Sequence, residues 1–251
     1  MIEKVGSSKS ERDLKHYLAT SAWNSLRNKL GLEFSQESQT NLAQLNKILL
    51  TNPAVVYINH TSKLDAPVAV LMVLSQLPNA VNILGPVGMK HYDWRRDPIS
   101  AGFLRLLKYV NIRALPVVQV DDKVDYGERQ RRMVENLKRE TEIIKQPGSV
   151  YGITPEGTRS KKDSSLLRAN RGIGYLEQYG PEIFYLPVAI MYRKQTSAPR
   201  IIAGEPLQLM NIIPQGLTLS EEPKERAQTI ADLHMKRLAN LIPPHLRGAY
   251  A

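Results

Sequence analysis

The chain has 251 residues, an apolar content of 42%, no cysteine, and 34 Lys and Arg against 24 Asp and Glu, for a net charge of +10. This length suits one α/β domain with a small appendage; the apolar content argues against disorder, and the missing cysteine excludes disulfides, thiolate nucleophiles and Cys-based zinc sites. Met1 to Lys15 is polar and charged with no signal-peptide core, and no apolar run approaches the roughly 18–20 residues of a spanning helix, so a soluble or peripheral protein is expected.

Ser10 to Leu30 reads as a helix, with Leu14, Leu18, Leu26 and Leu30 at multiples of four and Gly31 as its stop. A second helix, about Gln36 to Leu50, places Leu42, Leu45 and Leu49 on one face. Residues 1–52 are therefore set apart as an N-terminal helical pair, readable as a platform lying on a bilayer or as a hairpin packed on the main domain, residues 53–251. Ala54 to Ile58 is a buried strand. The turn Asn59-His60-Thr61-Ser62-Lys63-Leu64-Asp65 leads into an apolar helix, with Asp65 expected as its N-cap and Pro67 in its first turn.

Val81 to Leu84 reads as a short strand broken by Gly85-Pro86, and His91 as part of a polar, aromatic loop. A helix over Pro98 to Leu107, a strand over Tyr109 to Arg113 and a charged helix over Asp125 to Gln146 follow. Asp121, Asp122 and Asp125 read as a loop and cap rather than metal ligands, because no further ligand lies near them in sequence. Ser149 to Ile153 is the next strand, running into the turn Thr154-Pro155-Glu156-Gly157-Thr158-Arg159-Ser160. A helix over Arg168 to Tyr179, strands over Phe184 to Ile190 and Pro199 to Gly204, and a helix over about Glu222 to Leu241 complete the chain. This alternation predicts an α/β fold: a mixed, mostly parallel sheet flanked by helices, with an N-terminal two-helix element.

The positive charge is clustered. Lys90 to Arg113 carries six Lys and Arg against two Asp, and Arg159 to Arg171 carries five against one. Such clusters suit an anionic partner, whether phosphate, a lipid surface or nucleic acid. Low aromatic content and the absence of a recognised RNA- or DNA-binding signature argue against nucleic acid. The nucleophile-elbow, zinc-protease and P-loop signatures are absent as well.

Two turns carry the chemistry. His60 sits between a strand and a helix, five residues before a carboxylate that can fold back onto its ring, an arrangement suited to a general base. In the second turn Gly157 gives conformational freedom, Thr158 a hydroxyl and Arg159 a fork for phosphate. The pair, in this order and about ninety residues apart, resembles the glycerolipid acyltransferase family, which includes 1-acylglycerol-3-phosphate acyltransferase. His60, Ser62 and Asp65 match its first motif. Thr154 to Ser160 matches its third, with Thr154 replacing the usual Phe, and Leu186-Pro187-Val188-Ala189 resembles its fourth. Tyr109 to Arg113 stands where the second is expected, ending in the expected Arg without the usual Gly and Phe. Ile202 to Leu207 resembles the strand end that follows the fourth.

The resemblance implies transfer of a fatty acyl group from a thioester to the hydroxyl of a lysophosphatidate-like acceptor in phospholipid biosynthesis. His60 would be the base and Asp65 would fix its tautomer. Glu156, Gly157, Thr158 and Arg159 would hold the acceptor head group, helped by Arg113 and Arg171; Glu156 could instead orient Arg159. Acyl-CoA or acyl-carrier protein would be the co-substrate, with no cofactor and no metal. The expected partners are that donor, a lysophospholipid and an anionic membrane surface, with the protein peripheral on the cytoplasmic face of the cell membrane. The alternatives are another hydroxyl acceptor (glycerol-3-phosphate, another lysophospholipid or an amino-acid lipid) or a non-catalytic basic protein docked on lipid.

Overall fold

The structure is a computed structural model that describes residues 9–88, 112–117, 142–160, 165–192 and 199–251, together with Arg131 and Glu135. Among the described residues eight strands form one sheet: β1 (Glu33–Phe34), β2 (Ala54–Ile58), β3 (Asn82–Gly88), β4 (Ile112–Val117), β5 (Ser149–Ile153), β6 (Phe184–Met191), β7 (Arg200–Ala203) and β8 (Leu207–Gln208). Their order is β1-β7-β6-β2-β5-β3-β4, with β8 also on β6. The run β6-β2-β5-β3-β4 is parallel throughout, while β7 and β8 join β6 antiparallel. The expected mixed, mostly parallel α/β sheet is therefore the architecture.

Every residue of β2 is buried, as a central strand covered on both faces requires. Its side chains alternate between two cores. Val56 and Ile58 join Trp23, Leu42, Leu45, Val68 and Met72 beneath α1 (Lys9–Leu30), α2 (Gln36–Ile48) and α3 (Asp65–Gln76). Val55 and Tyr57 join Ile173, Met235 and Leu238 beneath α4 (Gly172–Tyr175) and α5 (Pro223–Ala239). The N-terminal helices thus share a core with the sheet, and Trp23 is fully enclosed. Residues Leu14, Tyr17 and Leu18 on α1 are 58%, 70% and 57% exposed; their spacing puts them on one stripe.

Several elements differ from the sequence reading. Asp65 does not cap α3: Leu64 holds the N-cap position without a side-chain cap bond, because the Asp65 carboxylate is turned back into the preceding turn. β3 runs through Gly85-Pro86 instead of stopping there; a Cβ on Gly85 would stand 3.1 Å from the Gly152 carbonyl oxygen, so glycine allows the close approach. Only Gly172–Tyr175 is α-helical in the expected Arg168 to Tyr179 segment, followed by a 3₁₀ turn, Leu176–Tyr179. The backbone before it is irregular because its amides are used elsewhere: Leu166 N–H on Leu246 O, Leu167 N–H on Glu156, and Asn170 N–H on Pro155 O. The predicted helix over Pro98 to Leu107, His91 and Asp121, Asp122 and Asp125 lie outside the described residues.

Pro187 sits within a central strand, where a missing N–H is normally costly. Its carbonyl accepts from Gly204 N–H at 2.9 Å, so its backbone faces the β7–β8 side. There the register jumps from Val188↔Ala203 to Tyr185↔Leu207, and the absent donor falls in that interruption.

Candidate functional site

Parallel neighbours β2, β5 and β6 end at the same edge of the sheet, where ligands of open α/β sheets commonly bind. The turn after β2 carries His60 and the turn after β5 carries residues 154–160. They are in contact: Ser160 N–H donates to His60 O at 3.2 Å, and His60 N–H donates to Glu156 Oε1 at 2.7 Å. Two loops about ninety residues apart in the chain therefore form one site.

The His60 ring retains 22% exposure, whereas the Asp65 side chain is fully buried. Nδ1 of His60 lies 3.3 Å from Asp65 Oδ2, which assigns the proton to Nδ1. Nε2 has no hydrogen-bond partner among the described residues. Oδ2 also accepts from Thr61 N–H at 2.6 Å and Ser62 N–H at 2.7 Å, so the carboxylate folds the turn that contains the histidine. An imidazole oriented through one nitrogen and open at the other can take a proton from a hydroxyl.

Glu156 is 2% exposed. Oε1 accepts from His60 N–H and Oε2 from Leu167 N–H at 2.8 Å. Burial pushes its carboxyl up to about 7, and the amides of Leu167 and His60 act against that rise. Both oxygens are committed inward, so Glu156 braces the His60 turn instead of reaching a head group. Gly157 has φ +67, a conformation that favours glycine, and a Cβ there would displace the Asn170 side chain that bonds Glu156 O. Thr158 and Arg159 are exposed at the lip of the site.

Of the two other expected cations, Arg113 falls elsewhere. Arg113 on β4 is level with Leu84 on β3, which is level with Tyr151 on β5 and so with Val55 on β2. Val55 precedes His60 by five residues, roughly 16 Å of strand, and β4 is three strands away from β2. The expected strand ended at Arg113, but β4 runs on to Val117, which leaves Arg113 near the wrong end. Arg171 precedes α4 and lines an open hollow against α5 with Arg168, Lys224, Glu222, Glu225 and Asp232. Its neighbour Asn170 is bonded to the 154–160 turn through Pro155 O and Glu156 O.

An acyltransferase family model matches residues 34–191, more than half of the chain. The chain belongs to the acyltransferase family. A comparison with curated proteins found no match. The family includes glycerolipid acyltransferases, and the matched span of this acyltransferase contains both turns.

Sequence reasoning missed Asn59. This buried side chain donates from Nδ2 to Ile190 O at 2.9 Å and accepts from Ile190 N–H at 2.7 Å. It imitates one more step of β2–β6 pairing and fixes the acyltransferase's histidine one residue later. Its position directly before the histidine was the available signal; its partner, 131 residues away, was not.

Proposed function

We propose that the protein transfers a fatty acyl group from an acyl thioester to the free hydroxyl of a lysophosphatidate-like acceptor. His60 Nε2 removes the hydroxyl proton as the oxygen attacks the thioester carbonyl, and Asp65 stabilises the resulting imidazolium. The tetrahedral intermediate then collapses and expels the thiolate. Arg159, with Thr158, engages the phosphate of the acceptor. The observation that carries this reading is the half-open His60–Asp65 pair held against the 154–160 turn. Family membership supports acyl transfer in the same direction.

The donor is acyl-CoA or acyl-carrier protein, and the acceptor lies in an anionic membrane surface on the cytoplasmic side. The α1 stripe Leu14, Tyr17 and Leu18 supports peripheral attachment. Among the described residues no helix is long and apolar enough to cross a membrane.

The test is a panel of acceptors with labelled acyl-CoA and labelled acyl-carrier protein. Lysophosphatidate is expected to be acylated faster than monoacylglycerol or glycerol-3-phosphate. Equal rates with monoacylglycerol would remove phosphate recognition. No transfer from either donor to any acceptor would remove the enzyme assignment and leave a basic lipid-surface protein.

A further inference from the structure

The Asp65 carboxylate has a second oxygen, and its partner lies just outside the family match, which ends at Met191. Tyr192 Oη donates to Asp65 Oδ1 at 2.8 Å across 127 residues of chain. The placement follows from strand parity. Leu186, Val188 and Ile190 face the α3 core, and Tyr192 packs against that same core. Asn59 clamps Ile190 to the residue before His60, so two residues later the tyrosine arrives at the first turn of α3, where Asp65 stands. Its hydroxyl also contacts Ser62 of the His60 turn, and burial beside the Asp65 charge holds the phenol far above its ordinary range, protonated at any working pH.

We propose that Tyr192 is a positioning residue of the acyl-transfer site: its hydroxyl pins Asp65 Oδ1 so that Oδ2 stays on the His60 ring and on the Thr61 and Ser62 amides. This rests on the His60 mechanism above. With Tyr192 in place both oxygens of the carboxylate accept hydrogen bonds, Oδ2 from the Thr61 and Ser62 amides and the His60 ring and Oδ1 from Tyr192, which fixes its rotation about Cβ–Cγ and disperses its charge. Support of this kind, one bond removed from the reacting ring, sets orientation and basicity together.

The test is Tyr192→Phe, which keeps the ring and removes only the hydroxyl. Among the described residues, the other charged groups beside His60 are Glu156 on the β5 turn, bonded through the His60 amide, exposed Arg159 on that turn, and exposed Lys63 in the His60 turn; all three are unchanged in the variant. The His60 ring is titrated by NMR in wild type and variant, its signal assigned by its loss in His60→Gln. Without the hydroxyl the Asp65 carboxylate can turn and take Oδ2 off the ring, so the imidazolium is held less tightly and the ring is expected to titrate lower by about half a pH unit. In the acylation assay kcat is expected to fall by about tenfold with KM within about twofold, the pattern for a lost transition-state interaction. An unmoved His60 titration overturns the proposal, whatever happens to activity. So does a fall in kcat that only tracks loss of folded protein by circular dichroism. If wild type transfers no acyl group to any acceptor, the mechanism above fails, while the NMR comparison still decides whether Tyr192 controls the pair.

Discussion

Two buried groups titrate in opposite senses, and the fold can be tested by separating them. His234 on α5 is fully buried, with Tyr57 and Tyr185 rings 5.1 and 4.5 Å away. Neither ring nitrogen has a partner among the described residues. Burial, helped by the Arg237 charge, lowers its pKa from 6.5 to about 3. The folded chain therefore refuses a proton that the unfolded chain accepts; this contribution to stability is complete above pH 6.5 and is lost as pH falls towards 3. Glu156 is the reverse. Burial raises it from 4.5 to about 7, so its contribution is complete below pH 4.5 and is lost as pH rises through 7. Between 4.5 and 6.5 the unfolded chain holds one proton on His234 and the folded chain one on Glu156, and these two groups together give almost no slope.

Each single variant uncovers the other group. In Glu156→Gln, stability should rise with pH by up to about 1.4 kcal/mol per unit and by roughly 2 kcal/mol across the window. In His234→Leu it should fall with pH by a similar amount, and the double variant should be flat again. Glu156→Gln also loses a hydrogen bond, because its NH₂ must face one of two amide donors; that lowers the whole curve without tilting it. Urea denaturation in half-unit steps from pH 4.5 to 6.5 at fixed ionic strength reads the slopes. A Glu156→Gln slope that is zero or negative would refute the assignment of His234 as buried and uncharged.

His60→Ala is expected to lower acyl transfer by about 10²–10⁴-fold with the urea midpoint nearly unchanged, and wild-type turnover in a steady-state assay would remove the base mechanism. Arg159→Ala should raise KM for lysophosphatidate by roughly tenfold, in the range of a lost charge-assisted bond, while leaving monoacylglycerol unaffected; equal losses on both acceptors would contradict phosphate recognition. Replacing Leu14, Tyr17 and Leu18 together by serine should weaken sedimentation with anionic vesicles while circular dichroism melting stays within a few degrees, since all three are exposed. Undiminished vesicle binding would leave α1 a packing element alone.

The parts of this fold that were legible in sequence are those whose cause is local. β2 and β5 are short apolar runs that end in turn residues, and the turns they feed are short enough to name residue by residue. What sequence could not show depends on distant partners. Residues 165–170 have helix-compatible composition, yet their amides go to Glu156, Pro155 and Leu246, so tertiary bonds override propensity. Glu156 looks like an exposed acid in a polar turn until its two amide partners are seen. Arg113 depended on a strand boundary, and the strand runs four residues further. Tyr192 shares a face with Val188 and Ile190, a pattern visible in sequence, but nothing local says that this face ends at a carboxylate.

The site also divides by burial, and the division says what each variant should do. Asn59, Asp65 and Glu156 are buried, and their polar atoms tie the His60 turn to β6, to itself and to the β5 turn through short hydrogen bonds. No substrate can reach them without breaking those bonds, so in the proposed mechanism they would act on donor and acceptor steps alike by holding the imidazole in place. Thr158 and Arg159 stand exposed on the same turn that Glu156 anchors, which leaves them free to meet a head group. Loss of a buried member should therefore depress kcat for every acceptor, whereas loss of an exposed one should discriminate between acceptors. A Glu156 variant that changed acceptor preference while leaving kcat intact would place that carboxyl at the substrate, against the two amides that hold it inward.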